Sequence, residues 1–374
     1  MGTAYTPGLK VSAGTVVRKI RRLPLRGSVL VSIGDEVAPD TVIALAELPG
    51  LMENVPVADR LGLEPTDALS AVKVKLGDKI EVGSVLAETH SFFGLFKSEV
   101  KSPVAGTVEI ISEHTGRVGV RLAPTPVQVK AYIRGRVAEV LPDEGAVIET
   151  RAAFVQGIFG VGVERSGEIM VAVDGPEDPL DESRIGPEAA GKVVIGGSNV
   201  SVSALRKACQ MGAAAVVVGA IVDKDLTDFL GFDIGVAITG QEDIDLTLIV
   251  TEGFGLIPMA ERTFRLLKSL EGRPASVNGA TQIRAGVIRP EVIVPLDTLP
   301  AESAVEPTDS QRLEVGSDIR VIREPYFGLL GKVVALPPEP RPIESGAVVR
   351  VLEAELQDGR RVMVPRANVE IMEK

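Results

Sequence analysis

Aromatic residues make up 3% of this 374-residue chain and tryptophan is absent. The core must therefore be built from branched aliphatics, alanine and glycine, which suits many short strands and tight turns. A single cysteine, Cys209, excludes an internal disulfide framework. Two histidines, His90 and His114, are too few even with that thiol for a Cys/His zinc site, so no metal ligands are assigned. Histidine-assisted nucleophilic catalysis would have to recruit one of the same two imidazoles. The longest apolar run, Met211 to Val222, is too short to cross a bilayer, and the opening MGTAYTPGLK lacks the apolar stretch of a secretory signal. The expectation is a cytoplasmic chain without a membrane span, a compartment that suits a lone cysteine. A formal charge of -11 argues against nucleic-acid binding by the whole surface, while a local basic patch stays open.

What is present is repetition. Gly34-Asp35-Glu36-Val37 followed by Thr41-Val42-Ile43-Ala44 returns 43 residues later as Gly77-Asp78-Lys79-Ile80 followed by Ser84-Val85-Leu86-Ala87. Each copy reads as strand, Gly-Asp turn, strand. A second pattern, Gly-x-Val with another glycine ten positions on, occurs at Gly106, Val108 and Gly116 and again at Gly135, Val137 and Gly145. Such spacing predicts a β-rich first region, residues 1–168, made of small barrels or sandwiches. Its densest basic run, Arg18, Lys19, Arg21, Arg22 and Arg26, reads either as a contact for an acidic partner or nucleic-acid backbone, or as an edge strand guarded by charge.

Gly77-Asp78 through Ala87, then Ser102-Pro103-Val104-Ala105-Gly106-Thr107-Val108 and Gly116, resemble the biotinyl/lipoyl superfamily over about residues 70 to 122, with a weaker echo in 26 to 46. The resemblance implies a barrel-sandwich hybrid fold. It does not extend to the carrier lysine: Leu95 stands at that place, Lys97 is displaced by two, and the tip is Ser91-Phe92-Phe93-Gly94-Leu95-Phe96. Non-carrier members are the better comparison. Phe92, Phe93 and Phe96 read either as a seam onto a neighbouring domain or as an exposed contact patch.

Residues 169–297 change character. Lys192 to Gly197 and Ala213 to Ala220 are buried-strand runs, and Leu246 to Val250 is a third. Between them fall a helix from about Val202 to Gly212 with Ser201 as cap, and a short helix from Asp223 to Leu230 stopped by Gly231. A third helix is expected from Pro258 to Leu270, with Gly272 past its end. The alternation predicts a central Rossmann-like or flavodoxin-like α/β domain with a mostly parallel sheet. Ligands of such sheets bind at the carboxyl ends of strands. Gly196, Gly197, Ser198 and Asn199 are one candidate there, a glycine turn before a helix that could approach a phosphate. Thr251, Glu252 and Gly253 are the other, expected in a loop at an acidic rim with Asp223, Glu242 and Asp243. Tight turns and solvated caps explain the same residues without a ligand. The dinucleotide fingerprint hinted at by Gly157, Gly160 and Gly162 is broken by Arg165, and Cys209 falls on an apolar helix face.

Residues 298–311 read as a linker rich in Pro, Ser, Thr and acids, and 312–374 as a second small barrel. Gly316-Ser317-Asp318-Ile319-Arg320-Val321-Ile322 with Pro325-Tyr326-Phe327-Gly328-Leu329-Leu330-Gly331-Lys332-Val333 resembles the KOW motif of SH3-like barrels in transcription elongation factors and ribosomal proteins. The resemblance implies RNA or polymerase contact at Arg320, Arg323, Tyr326, Phe327 and Lys332. The segment carries ten basic and ten acidic residues, which weakens phosphate attraction and leaves protein contact at least as favoured as RNA. The whole reads as a multidomain α/β plus β chain with no catalytic group and no cofactor assigned. Its expected role is a non-catalytic adaptor or accessory subunit that docks onto a larger assembly through a protein partner. An enzyme or sensor for a small phosphate or nucleotide-like ligand in the central domain, and RNA association through the terminal barrel, remain the alternatives.

Overall fold

The Gly-Asp turns organise the first half, because each needs a backbone that only glycine adopts without strain: φ is +97° at Gly34 and +90° at Gly77. The two turns in this computed structural model match bond for bond. Asp35 Oδ2 accepts from Ser32 N at 2.8 Å, and Asp78 Oδ2 accepts from Lys75 N at 2.7 Å. Gly34 N donates to Val137 O and Gly77 N to Val108 O, while Val137 N and Val108 N return bonds to Asp35 O and Asp78 O. The Gly-x-Val repeat fills the matching places opposite. A Cβ on Gly106 would lie 2.1 Å from Arg121 O, and one on Gly135 2.4 Å from Glu149 O, so glycine is required where these strands cross a neighbour. The structure describes residues 9–91, 96–232, 244–282, 288–298, 313–321, 325–326, 329–343 and 348–371.

The repeated modules are nested. The outer one uses Val11–Arg22, Ser28–Val29, Glu36–Val37 and Val42–Leu48, resumes with Thr125–Lys130, Gly135–Leu141 and Gly145–Gln156, and closes around Val17, Ile43, Ile133 and Ile148. Residues 51–121 are inserted between its halves. They form an antiparallel sheet in the order Met52–Pro56, Arg117–Arg121, Gly106–Ser112, Lys79–Ile80, a hairpin of Val85–Ser91 with Phe96–Lys101, two short helices and a separate core around Val55, Leu86, Val108 and Val118. The insertion enters and leaves at one point, where Leu122 N donates to Leu51 O at 2.9 Å. Phe92 and Phe93 lie outside the described residues.

The central region overturns the expected α/β domain. The described residues are 47% strand and 15% helix, and a Rossmann-like unit is not supported. Four strands, Arg165–Val171, Lys192–Ile195, Ala215–Ile221 and Thr247–Phe254, do pair in parallel. They belong, however, to a twelve-stranded mixed sheet that continues antiparallel on both sides. Phe159–Val161 caps one end, and Pro274–Asn278 leads through Glu291–Pro295 into Gly145–Gln156 of the outer module. The physical reason lies in the winding. The four parallel strands add in sequence order in one direction, without the reversal of a doubly wound sheet, so no topological switch point opens a crevice between them. The buried-run reading itself fits, since Ala215–Ile221 is buried at every position.

The helices between them follow local chemistry. Val202–Met211 starts where Ser201 Oγ accepts from Ala204 N at 3.2 Å and stops at Gly212 with φ +72°; Asp223–Leu230 stops at Gly231 with φ +79°. The third helix, Glu261–Ser269, starts three residues later than its proline suggests. Met259 N is held by Pro176 O, and Ala260 N donates to the Glu252 carboxylate.

The last region is a five-stranded antiparallel sheet in the order Arg361–Pro365, Val351–Leu356, Leu330–Ala335, Asp318–Val321, Val369–Ile371, with a core of Ile319, Val333, Leu352 and Val364. It opens on a third copy of the same turn. Gly316 has φ +94°, its N–H donates to Val333 O, and Ser317 Oγ replaces the aspartate by accepting from Glu314 N at 3.0 Å. The expected linker falls almost wholly in residues 299–312, outside the described residues.

Candidate functional site

The carboxyl ends of the parallel strands are where a ligand was expected, and the chain's own atoms fill them. A Cβ on Gly197 would lie 2.4 Å from Gly175 O and 2.5 Å from Asp178 O, and Ser198 N already donates to Asp178 O at 2.9 Å. The loop over residues 174–178 thus occupies the space a phosphate would need. Ser198 Oγ turns to Asn199 Oδ1, and Asn199 begins the short strand Asn199–Val200 beside Ala220 and Ile221. Next to it, Gly219 is covered by Met259 N and Ile257 O at 2.5 and 2.6 Å from its would-be Cβ.

Thr251, Glu252 and Gly253 are not in a loop. The strand runs on to Phe254, because Gly253 and Phe254 pair with Ala220 and Ile221 past a bulge. Thr251 and Glu252 are buried, and the terminal five-stranded sheet packs against them. Arg320 donates from Nη1 to Thr251 O at 3.0 Å and from Nη2 to Glu252 Oε2 at 3.1 Å. Glu370 of the same sheet lies 3.3 Å from Arg320 Nη1, an ion-pair contact without good hydrogen-bond alignment, and also takes Arg289 Nη1 at 3.2 Å. The other oxygen of Glu252 accepts from Ala260 N at 3.1 Å, at the start of the Glu261–Ser269 helix, where a carboxylate is favoured by the helix field. Among the described residues two carboxylates and two guanidinium groups therefore share one buried cluster. Such a cluster costs much to desolvate and far more to break in half. It joins the terminal five-stranded sheet to the twelve-stranded one.

Two groups assigned to different ligands, Thr251 with Glu252 and Arg320, thus bind each other. Among the other candidate positions of the terminal region, Lys332 is exposed on its strand, and Tyr326 is half-buried with the Arg360 guanidinium 5.5 Å from its ring centre. Arg323 and Phe327 lie outside the described residues, as do Glu242 and Asp243 of the expected acidic rim. His114 is exposed in a turn. Cys209 is half-buried, and burial first, then the charge of Asp245, pushes its thiol pKa up, with Arg165 acting the other way. Among the described residues no three His, Cys, Asp or Glu side chains gather as metal ligands would.

A second cluster escaped sequence reasoning. Tyr132 is buried and holds φ +70°, a left-handed backbone rare for a bulky residue. Its hydroxyl donates to Glu291 Oε1 at 3.2 Å, Lys19 Nζ lies 2.5 Å from the same oxygen, and the Arg21 guanidinium stands 5.3 Å from the tyrosine ring centre. Arg21 also grips Glu164 with two bonds of 2.7 Å. Burial, then the negative charges of Glu291 and Glu164, raise the Tyr132 pKa well above the ordinary phenol value, with Arg21 opposing. The group is a fixed donor at neutral pH. The available signal was the alternation of Val17, Lys19 and Arg21, which puts these two cations on the core-facing side of their strand.

No protein-family model matches the chain. No curated protein is significantly similar to it.

Proposed function

We propose that this chain is a non-catalytic docking subunit, a set of small β modules that present surfaces to a larger assembly. The observation that carries the reading is the thrice-repeated turn. The residue just before its glycine is a large aliphatic left in solvent each time: Ile33 is 69% exposed, Leu76 65% and Val315 64%. Three modules that share one turn and keep the same apolar tip exposed are better explained by contact with something else than by the needs of their own cores. The closed strand ends support the same reading, since the place where a small molecule would enter is filled by loop backbone and by Arg320.

The test is to purify the tagged chain from its native cells beside an Ile33→Ser/Leu76→Ser/Val315→Ser variant that keeps its circular dichroism spectrum and melting behaviour. A defined, stoichiometric partner lost from the variant is the expected result. Recovery of the wild-type chain alone, or an unchanged partner in the variant, overturns the proposal. Salt-sensitive RNA in place of a protein would also overturn it, in favour of nucleic-acid contact by the terminal barrel.

A further inference from the structure

We infer that the open edge of Val11–Arg22 pairs with the same strand of a second copy, joining two twelve-stranded sheets into one. Among the described residues this twelve-residue strand has a single strand neighbour, Gly145–Gln156, and no backbone–backbone hydrogen bond on its other edge, where Val11 O takes the Arg262 side chain at 3.4 Å and the stretch past the Ser12/Thr15 bulge, Val16 to Arg22, is open. Leu23 N donates to Glu144 O, so by antiparallel alternation the odd residues from 15 to 23 face the neighbour. Val16, Arg18, Ile20 and Arg22 then offer their N–H and C=O groups to the open side. A ladder of that length is a template for another strand unless something blunts it.

Charge does not blunt it here, because every cation on the strand is already matched. Arg18 pairs with Glu149, Lys19 with Glu291, Arg21 with Glu164 and Arg22 with Glu144. An acidic peptide would have to compete with those four carboxylates. A second copy would not. The outward face is also self-complementary. Val16 is 49% and Ile20 62% exposed, and they flank Arg18 symmetrically. An antiparallel two-fold centred on Arg18 sets Val16 against Ile20 of the second copy, and Ile20 against its Val16, so four exposed aliphatics cover one another. A register shifted by two residues along the partner strand sets Val16 against Arg18 or Arg22, and Ile20 against Gly14 or Arg18, so the aliphatics no longer cover one another. At the axis, each Arg18 reaches both its own Glu149 and that of the other copy, a ring of alternating charge with no net excess. The contact rests on this edge alone and needs no particular host assembly.

The experiment is sedimentation of the full chain over a range of concentrations, with a disulfide ruler for register. The wild type is expected to show a concentration-dependent doubling of its 39.4 kDa mass. Ile20→Lys, at an exposed position that leaves the fold intact, weakens association about tenfold or more. In a Cys209→Ser background Arg18→Cys oxidises to a covalent dimer, since opposed Cα atoms in a hydrogen-bonded antiparallel pair lie about 5.5 Å apart, within disulfide range. Val16→Cys alone does not, but does so when mixed with Ile20→Cys. A chain that stays monomeric at high micromolar concentration, a dimer indifferent to Ile20→Lys, or Val16→Cys cross-linking as readily as Arg18→Cys overturns the inference.

Discussion

Replacing Arg320 with methionine tests whether the buried ion cluster anchors the terminal five-stranded sheet. The substitution keeps most of the side-chain volume but removes the charge that Glu252 and Glu370 share at 3.1 and 3.3 Å. Glu252 would keep Ala260 N and Glu370 would keep Arg289, so each buried carboxylate is left partly compensated. Breaking one partner out of a buried pair costs about 3–5 kcal/mol, and the loss of the bond to Thr251 O adds to it. A local loss of that size raises amide hydrogen exchange by roughly two to four powers of ten in the segment it holds. The expected pattern is faster exchange in Asp318–Val321 and Val369–Ile371, with Ala215–Ile221 unchanged. Hydrogen exchange read by mass spectrometry resolves the three segments in one experiment, and avoids assuming that so many modules melt as one unit. Neutralising Glu252 as well, as Arg320→Met/Glu252→Gln, removes the stranded carboxylate while Glu370 keeps Arg289, and should recover most of the protection. If the single variant changes exchange less than tenfold, or the double is no better than the single, the electrostatic account of the anchor is wrong.

Three further outcomes are expected. Tyr132→Phe should alter the alkaline limb of stability: the folded phenol holds its proton above the unfolded pKa of about 10, so wild-type stability is intact below that pH and falls as pH rises above it, whereas the variant lacks this slope. Urea midpoints measured on either side of pH 10 for both proteins decide it, and parallel curves would refute it. Gly197→Ala should destabilise by about 2 kcal/mol or more through overpacking, since its methyl would meet backbone oxygens of residues 175 and 178; a neutral effect in thermal melts would show that the 174–178 loop yields easily. Cys209 should react with a thiol reagent more slowly in the folded chain than in urea, as burial raises its pKa; equal rates at the same pH would contradict this.

Where a residue's role is set by near neighbours, the chain disclosed it in advance. The Gly34-Asp35 and Gly77-Asp78 turns, the Ser201 cap and the stops at Gly212 and Gly231 all depend on contacts within a few positions, apart from the strand each turn leans on. Glu252 and Arg320 fail that condition. They are 68 positions apart, and neither carries a local sign that it will be buried against the other. The run Thr251 to Gly253 looked like a loop because its polar residues and glycines resemble turn chemistry. In the folded chain it is strand, since Ala220 and Ile221 extend the ladder past a bulge. The parallel strands were visible as buried runs, but their common winding direction, which separates this sheet from a nucleotide-binding one, is a property of order in space and leaves no mark on composition.

The nested insertion has a practical corollary. Gly50 accepts from the Arg121 side chain, and its would-be Cβ lies 2.0 Å from Leu122 O, so the points of departure and return almost touch. Residues 51–121 hang from the outer module like a cassette on one hinge. Evolution or an engineer could excise or exchange them by joining Gly50 to Leu122 through a short glycine bridge, with the host strands on either side left undisturbed.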